Sequence, residues 1–403
     1  MREIARSRRC STRQRRGLRH PAPAAQLVHW VVKASKLCNL RCLYCYEWNE
    51  LGNHARLSFE GWERLLLMIR EYHRRRVAAL RAPFQSCIVW HGGEPMLLPL
   101  SYYERVMDLQ HRILGDEALK SGEFFNAVQT NLYTLPDGTL DLLEREGFQI
   151  GVSMDVVGGV RLSAGGAETE DRVVLNMDRL RCRGISFGAI LVLAAHTSPN
   201  ITVAYDFYES IGINFRVLPL FAAPLNVSDA SFAVTAQQMV DALCRLFTHW
   251  ALRPNRIPVA PLNSYVRTVS LKMMGHSQGC YDRRAGEWAL LVNTDGELYQ
   301  VMDAYQPRFS LGNVLRDSLD EVIGSEAYAR SLARDEALSA RHCGGCEFQG
   351  ACDSLPLFES SYPGPHPERC HIAYEVLRYI EAFAKSNGYT PERLRSLSDE
   401  LAP

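Results

Sequence analysis

Six short apolar segments alternate with amphipathic stretches between residues 27 and 220, and this alternation restricts the possible folds more than any other feature of the sequence. Such a pattern is typical of parallel strands joined by helical crossovers. The first crossover, over residues 57–76, repeats apolar residues at helical spacing behind an N-cap candidate, Ser58. Six such units predict an α/β fold with either an open doubly wound sheet or a curved, incomplete barrel. The candidate strands are LVHWVVKAS, QSCIVWHG, FFNAVQTN, FQIGVSMD, ISFGAILVLA and INFRVLPL.

The pattern changes after residue 225. Helical stretches at 235–252 and 262–274 are followed by EWALLVNTDGELYQV, in which an Asp-Gly pair predicts a hairpin turn. A cysteine-rich segment at 343–370 precedes a last predicted helix at 371–385. The chain is therefore expected to divide into a basic N-terminal tail (1–26), a strand and helix core (27–225), a helical bridging region (226–279), a small cysteine-rich α+β domain (280–385) and a C-terminal extension (386–403).

Charged residues balance, with 45 Lys and Arg against 45 Asp and Glu, so the sequence predicts neither a nucleic acid nor a membrane as partner. No apolar run approaches the roughly 20 residues of a membrane-spanning helix, and the N-terminus lacks the apolar segment of a signal peptide. We therefore expect a cytoplasmic protein. Eight arginines lie within the first 19 residues, a composition that cannot build a core and predicts a mobile tail.

Three of the twelve cysteines, Cys38, Cys42 and Cys45, follow the first strand with the spacing CxxxCxxC. In a compartment that keeps thiols reduced, clustered cysteines bind metal more often than they form disulfides. Three thiolates this close in sequence can hold three irons of a cubane cluster and leave the fourth iron open for a non-protein ligand. A structural zinc site is the alternative, but it needs a fourth ligand, and the nearest candidate, His54, has poor spacing.

This cysteine loop resembles that of radical S-adenosylmethionine (SAM) enzymes, in which an aromatic residue, here Tyr44, stands just before the third cysteine. The second strand ends in HGGEP at residues 91–95, similar to the family's glycine-rich motif that binds the methionine amino group. Glycines let backbone carbonyls approach an ammonium, and a carboxylate adds an ionic acceptor. The resemblance therefore implies that Gly92, Gly93 and Glu94 bind SAM.

Three aromatic residues, Tyr44, Tyr46 and Trp48, lie close to the third cysteine in sequence and are expected to form a cluster around its thiolate. Packing over the adenine of SAM, or shielding of a radical from water, suits Tyr44 best. An apolar cover for the loop is an equal alternative for Trp48.

The following strands end in segments that resemble the walls of the family's cofactor groove. Gln129 and Asn131 close the third strand, Ser153 lies at the end of the fourth, and Arg172 follows in the next helix. By resemblance, Ser153 and Arg172 hold the carboxylate and ribose of SAM, tasks that suit a hydroxyl and a planar guanidinium. A strand-end hydroxyl and a helix-flanking salt bridge are the structural alternatives.

A second group of cysteines, Cys343, Cys346, Cys352 and Cys370, resembles part of the C-terminal domain called SPASM, which carries auxiliary [4Fe-4S] clusters in relatives of this family. The four correspond to a full ligand set for one auxiliary cluster. Complete coordination by thiolates suits electron transfer or stabilisation of the fold better than substrate binding. A zinc site with the same four ligands is the alternative.

The chain departs from the SPASM pattern at two positions. The cysteines expected after Gly296 and after Cys352 are Val301 and Pro356, so a second auxiliary cluster would lack two of its ligands. Cys280, which belongs to that same cluster in relatives, is left without these partners. It is expected to be a buried thiol, with a catalytic acid and an evolutionary relic as alternatives.

The resemblance implies a partial (β/α)6 barrel and an enzyme that cleaves SAM reductively to a 5′-deoxyadenosyl radical, which abstracts hydrogen from a substrate. The expected substrate is a peptide or small protein, and the expected product is a carbon-carbon, ether or thioether crosslink in a ribosomally made peptide. Peptide epimerisation, sulfatase-type protein maturation and oxidation of a small alcohol are the alternatives. A non-catalytic iron-sulfur or zinc protein is the alternative from another class. An electron donor such as flavodoxin or ferredoxin and a monomeric state are also expected.

Overall fold

The computed structural model describes residues 26–220, 232–300, 305–353 and 369–399, so the predicted basic tail lies almost entirely outside the described residues. The described residues contain twelve strands and twelve α-helices. The strands are β1 (Gln26–Ser35), β2 (Leu40–Cys42), β3 (Phe84–Gly92), β4 (Phe124–Thr130), β5 (Gln149–Ser153), β6 (Arg161–Ser163), β7 (Phe187–Leu193), β8 (Phe215–Pro219), β9 (Val259–Ala260), β10 (Ala289–Val292), β11 (Glu297–Gln300) and β12 (Gly312–Asn313). The helices are α1 (Phe59–Leu80), α2 (Leu100–Leu114), α3 (Asp116–Ser121), α4 (Asp137–Arg145), α5 (Glu170–Cys182), α6 (Ile201–Ile211), α7 (Ala236–Ala251), α8 (Leu262–Met273), α9 (Leu319–Ile323), α10 (Glu326–Cys343), α11 (Ile372–Ser386) and α12 (Pro391–Asp399).

All six predicted strands are present, as β1, β3, β4, β5, β7 and β8, and they pair in parallel in that order. The sheet is curved rather than flat. Burial lowers the pKa of His29 in β1, and the charge of Arg216 in β8 lowers it further. Four strands separate β1 from β8, which in a flat sheet would place them roughly 24 Å apart. A charge at that distance would be screened, so the two edge strands face each other across an incomplete barrel.

Helix α1 shows why the outer layer forms where the sequence predicts it. The Ser58 hydroxyl accepts the backbone N–H of Gly61 at 3.0 Å and caps the helix, as expected. Apolar side chains at helical spacing then face the outer surface of β1 and β3, where Trp62 packs on Trp90 with ring centroids 4.7 Å apart. The helix thus covers one face of the sheet and leaves the barrel interior to the opposite side chains.

The predicted hairpin is also present, but it joins the barrel sheet. β10 and β11 pair antiparallel around the predicted turn, and β10 pairs in parallel with β1, with Trp30 opposite Leu290. All four residues of β10 are buried, as is typical of a strand that is covered on both faces. The sheet therefore runs without a break across the predicted domain border at residue 280, and ten strands belong to it. The domain borders themselves stay predictions.

A layer of helices from the C-terminal half completes the fold. Helix α11 packs on α7 and α8, and α12 packs on α8. The sequence predicted α7, α8 and α11 but not α10 or α12. Helix α10 was missed because its buried face is partly polar: it buries Tyr328, Ser331, Leu332 and Asp335. None of the described helices combines the length and apolarity needed to cross a bilayer.

A buried ionic network attaches α10 to the loop before β10. The Arg283 guanidinium, whose side chain is 3% exposed, donates to Glu287 at 2.8 Å and to the Asp335 carboxylate. The Tyr328 hydroxyl donates to Glu287 at 2.7 Å. The backbone N–H of Glu287 in turn donates to the Tyr72 hydroxyl of α1 at 2.8 Å. One guanidinium thus neutralises two carboxylates that would otherwise be buried without a counter-charge.

We predict that Arg283→Met lowers the free energy of unfolding by about 3–5 kcal/mol, because Glu287 and Asp335 lose their buried cation. Urea denaturation followed by circular dichroism measures the change. Arg284→Met is the matched control, since the neighbouring Arg284 pairs with Glu336 on the exposed surface and should contribute little. Equal destabilisation by the two substitutions would contradict the assigned role of the network.

Candidate active site

The three cysteines of the first motif lie on one loop at the carboxyl end of β1, held by backbone hydrogen bonds. The N–H of Cys38 donates to the carbonyl of Leu51 at 2.9 Å, and the N–H of Cys45 donates to that of Cys42 at 2.9 Å. Cys42 is also the last residue of β2, which pairs antiparallel with β6 opposite Arg161. The backbone therefore fixes the loop at the face of a parallel barrel where active sites gather.

These thiols need a bound cation to ionise. Burial raises the pKa of Cys38 and of Cys45 to about 12, and it also raises the pKa of Cys42. No three Cys, His, Asp or Glu side chains in the described parts of the chain are placed to hold a single metal ion. The ligands of a cubane each bind a different iron, so a cluster does not require them to converge on one point. The loop fits an iron-sulfur cluster better than a zinc ion.

Nitrogen donors surround two of the sulfur atoms. The Leu40 N–H lies 3.4 Å from the Cys38 sulfur, and the Asn131 side-chain amide lies 3.8 Å from the same atom. The Arg161 guanidinium lies 3.9 Å from the Cys42 sulfur. Hydrogen bonds to cluster sulfurs tune reduction potential, so these donors suit a redox-active cluster.

The Gly-Gly-Glu turn packs directly on the backbone that leads into the cysteine loop. A Cβ atom on Gly92 would lie 2.1 Å from the carbonyl oxygen of Ser35, and one on Gly93 would lie 2.3 Å from that of Leu37. The Gly93 and Glu94 N–H groups donate to these same two carbonyls, each at 2.8 Å. The glycines are therefore needed for contact between the second strand and the cysteine loop, whatever ligand their own carbonyls bind.

Glu94 is completely buried, and protein donors hold both of its carboxylate oxygens. Oε1 accepts the Thr130 hydroxyl at 2.7 Å and the Met96 N–H at 2.9 Å, while Oε2 accepts the Asn131 N–H at 2.7 Å. Burial raises the pKa of Glu94 to about 7, and the three donors oppose that shift. The carboxylate joins the end of β3 to the end of β4, a task that its sequence-predicted role as an ionic acceptor for SAM did not include.

The groove residues predicted on β4 and β5 lie together. The Gln129 amide donates to the Ser153 hydroxyl at 2.7 Å. The Asn131 amide donates to the side chain of Asn39, in the cysteine loop, at 2.9 Å. These contacts place the predicted cofactor-binding side chains of two strands beside the cysteine loop.

Arg172 lies on the outer side of this group. It belongs to the first turn of α5, where its side chain is exposed, and its Nε donates to the carbonyl of Tyr133 at 2.9 Å. The guanidinium also stacks over the Tyr133 ring, 4.9 Å from the centroid. The predicted contact of Arg172 with SAM stays a prediction.

Tyr44 belongs to a buried network that the sequence did not reveal. Its hydroxyl donates to the Asp155 carboxylate, which also accepts the Arg161 Nε at 3.0 Å and the Val192 N–H at 2.9 Å. His196 stacks on the Tyr44 ring with centroids 5.9 Å apart. Asp155 had a weak signal, since it follows a strand end, but Arg161 follows an irregular segment and had none.

The expected aromatic cluster around the third cysteine does not form as one unit. Tyr44 packs toward β7, whereas Tyr46 stacks on Tyr305 with centroids 6.2 Å apart. Trp48 is 37% exposed, which fits its alternative as a cover for the loop. The alternating residues point to opposite sides because the loop is extended at this point.

A buried lysine neutralises the side of the loop that carries Tyr46. The Lys33 ammonium pairs with Glu47 at 2.5 Å and lies 3.2 Å from the centroid of the Tyr305 ring. Lys33 belongs to β1 and Glu47 follows the third cysteine, so this ion pair fixes the far end of the loop to the barrel.

Three of the second group of cysteines follow one another in tight turns. Cys343 ends α10, the Cys346 N–H donates to its carbonyl at 3.0 Å, and the Cys352 N–H donates to that of Phe348 at 2.8 Å. The completely buried Phe348 ring meets the edge of Tyr374 in α11, with centroids 6.0 Å apart. This contact brings the turns beside the start of the helix that follows the fourth cysteine.

Cys280 is exposed, so the expectation of a buried thiol is wrong. Its neighbours run beside the last turn of the cysteine segment: the Gln278 N–H donates to Gly350 at 2.9 Å and the Tyr281 N–H donates to Asp353 at 2.7 Å. These backbone bonds fix the strand-like segment without burying its side chain. Val301 and Pro356, which stand where further cysteines were expected, lie outside the described residues.

Comparison with known proteins agrees with this geometry. Residues 32–198, from the middle of β1 to the end of β7, match the radical SAM superfamily. This chain carries a radical SAM domain. It is therefore an enzyme, with a partial barrel as expected, and its family implies a [4Fe-4S] cluster and SAM. The residue assignments of the cofactor site stay predictions.

Similarity to full-length relatives extends the match beyond the radical SAM domain. The chain is 23% identical over 356 residues to the serine-type anaerobic sulfatase-maturating enzyme of Bacteroides thetaiotaomicron, covering 82% of this chain and 83% of that protein. It is 23% identical over 298 residues to a cysteine-type anaerobic sulfatase-maturating enzyme of Clostridium perfringens, covering 72% and 78%.

Two solved structures share the fold at low sequence identity. The structure of native anSMEcpe with bound AdoMet has a TM-score of 0.70 and 17% identity, covering 93% of this chain and 99% of that one. SuiB of Streptococcus suis bound to S-adenosylmethionine has a TM-score of 0.55 and 16% identity, covering 87% and 77%.

We predict that Glu94→Gln lowers both SAM affinity and thermal stability, each by about 1–3 kcal/mol, because an amide cannot accept all three donors. Equilibrium titration and calorimetry of the reconstituted protein measure the two effects, and iron content should not change. A loss of affinity with unchanged stability would instead identify Glu94 as a direct ligand of SAM. Glu117→Gln, on the exposed surface of α3, is the control.

Proposed function

We propose that this protein holds a [4Fe-4S] cluster with Cys38, Cys42 and Cys45, binds SAM beside it, and abstracts a hydrogen atom from a residue of a peptide or small protein. The observation that carries the proposal is the contact of the cysteine loop with the Gly-Gly-Glu turn at the carboxyl ends of the barrel strands. A protein that only carried electrons or zinc would not need the second element.

The side chains nearest the cysteine loop have chemistry that fits SAM. Backbone carbonyls of Gly92 and Gly93 suit an ammonium, and the hydroxyl of Ser153 and the amide of Gln129 suit a carboxylate or a ribose. Both ring nitrogens of the half-buried His196 lack a hydrogen-bond partner among the described residues. Such orphaned groups at the end of β7 are the expected mark of a site that a ligand completes.

Reductive cleavage of bound SAM would supply a carbon radical able to remove hydrogen from an unactivated C–H bond. The chain's own contribution is to orient that bond and to exclude water and other hydrogen donors. The barrel interior is suited to this task, since apolar side chains such as Val31, Val89 and Ile190 line its inward face. An electron would come from a flavodoxin or ferredoxin in a reducing cytoplasm.

The substrate is proposed to be a peptide or protein because the relatives carry such names. The curated relatives are sulfatase-maturating enzymes, and the fold is shared with anSMEcpe solved with a Cp18Cys peptide and SuiB solved with its precursor peptide SuiA. Maturation of a single residue, as in a sulfatase, is the first candidate product, because these relatives match most of the chain. Crosslinking is the second, since Val301 and Pro356 replace two cysteines expected in the SPASM pattern.

The products can be told apart by mass spectrometry of peptides encoded near the gene and of sulfatase-motif peptides. Maturation and crosslinking both remove two hydrogen atoms, but only an oxidised single residue bearing a carbonyl reacts with a hydrazide. Epimerisation leaves the mass unchanged. Formation of 5′-deoxyadenosine without any peptide product would leave a small alcohol as the substrate to test.

We also propose that Cys343, Cys346, Cys352 and Cys370 hold one auxiliary [4Fe-4S] cluster. The buried contact of Phe348 with Tyr374 supports it by joining the segments that carry the third and fourth ligands. The auxiliary cluster would take the electron that the substrate must lose after hydrogen abstraction.

We predict that anaerobically reconstituted protein holds about eight irons, and that replacing Cys38, Cys42 and Cys45 together with alanine leaves about four. The triple variant should form no 5′-deoxyadenosine. Iron analysis and liquid chromatography measure the two quantities. Twelve irons, or cleavage of SAM that persists in the triple variant, would refute the assignment.

We predict that Cys352→Ala uncouples the reaction: 5′-deoxyadenosine still forms, while oxidised peptide product falls sharply. Quantifying both by mass spectrometry, with iron and zinc content, tests this role. If the site is only structural, the variant should lose solubility, or lose both products in parallel, because a bound metal contributes folding free energy. Cys182→Ala, an exposed cysteine on α5, is the matched control.

A further inference from the structure

The barrel interior is nearly free of acidic side chains. Strand pairing puts alternate residues of β1, β3, β4, β5, β7 and β8 on the inward face. None of these inward positions carries Asp or Glu. The polar residues among them are His29, Ser35, Lys33, Gln85, His91, Gln129, Gln149, Ser153 and Arg216.

Arg216 is placed inside the barrel by the alternation along β8. Phe215 and Val217 are buried against the outer helices, and Phe215 stacks on Tyr208 of α6 with centroids 4.6 Å apart. Arg216 therefore points to the opposite face, the barrel interior. Its charge acts on His29 of β1 across the barrel, which agrees with that position.

The other charges at this end of the barrel are already balanced. Lys33 pairs with Glu47, and Asp155 pairs with Arg161. Burial lowers the pKa of His91 to about 4 and also lowers the pKa of His29, so both imidazoles are neutral near pH 7.

Arg216 makes no hydrogen bond or ion pair with any residue in the described ranges. Its side chain is open to solvent in the barrel interior, yet the surrounding wall desolvates the guanidinium enough to lower its pKa. An acidic partner would act in the opposite direction. The interior thus holds one positive charge that the described residues do not neutralise.

Arg216 also lies within reach of the predicted cofactor groove. Ser153, Ile190 and Arg216 form one register row across β5, β7 and β8. Two strand spacings separate the backbone of Ser153 from that of Arg216, about 10 Å. An arginine side chain can cover much of that distance, so a molecule that lies beside the cofactor can reach the guanidinium.

We propose that Arg216 binds a carboxylate of the substrate, from an acidic side chain or a chain terminus, inside the barrel. This inference rests on the proposed function, because it assumes that the barrel admits a peptide. A planar guanidinium pairs with a carboxylate through two parallel hydrogen bonds, so the contact fixes orientation as well as position. The substrate would then carry an acidic group near the residue that loses hydrogen.

The test uses reconstituted holoenzyme with SAM bound and two probes, N-acetylaspartate N-methylamide and its asparagine counterpart. Nuclear magnetic resonance titration measures their dissociation constants. The wild type should bind the aspartate probe at least about tenfold tighter than the asparagine probe. R216Q should bind the two probes equally, and R216K should keep part of the preference because it keeps the charge.

The control is R112Q, which removes an arginine from the outer surface of α2, where it pairs with Glu63. It should retain the full preference of the wild type. Preference that persists in R216Q, or no preference in the wild type, would overturn the proposal. A loss of SAM affinity of about tenfold or more in R216Q would also overturn it, because the bound carboxylate would then be that of the cofactor.

The proposed function can fail separately in the same samples. If the wild type forms no 5′-deoxyadenosine on reduction, the radical reaction is refuted while the probe titration still decides the carboxylate site. Equal iron content and near-ultraviolet circular dichroism in all four proteins exclude misfolding as the cause of a changed preference.

Discussion

The site depends on one close approach of two backbone segments. The carbonyls of Ser35 and Leu37 accept the N–H groups of Gly93 and Glu94, and there is no room for side chains at the two glycines. This contact sets the cysteine loop against the end of the second barrel strand. The buried Glu94 carboxylate then fixes the same turn to the third barrel strand through three hydrogen bonds. A cluster and its cofactor must be held in a fixed relation, and this chain fixes their supports through the backbone, which cannot change rotamer.

Buried charge surrounds the loop in pairs. Lys33 with Glu47 lies on one side of the third cysteine, and Asp155 with Arg161 lies on the other. Each pair joins a barrel strand or its end to the loop or to β6. Buried pairs contribute less stability than their Coulomb attraction suggests, because both partners lose hydration. Their effect here is to fix position, and the Arg161 pair adds a positive charge beside a cysteine sulfur.

The sequence predicted the barrel well because its information is local. Six strands, the Ser58 cap of α1 and the hairpin all follow from short patterns, and each is present. The pairing of β10 with β1 could not be predicted, since it joins residues about 260 apart in the chain and no local pattern specifies a partner strand. Side-chain networks were missed for the same reason. Arg161 and Arg216 have no motif, and only strand register and curvature show what they face.

The pairing of β10 with β1 also has a consequence for the order in which the protein can assemble on the ribosome. β1 is made among the first strands, yet one of its edges stays open until residues 289–292 have emerged. During that time the strand exposes unpaired N–H and C=O groups next to an apolar sequence, which favours pairing with other chains. The nascent barrel therefore depends on a late segment to protect its earliest strand, and the cysteine loop that follows β1 becomes fully supported only when most of the chain has been synthesised.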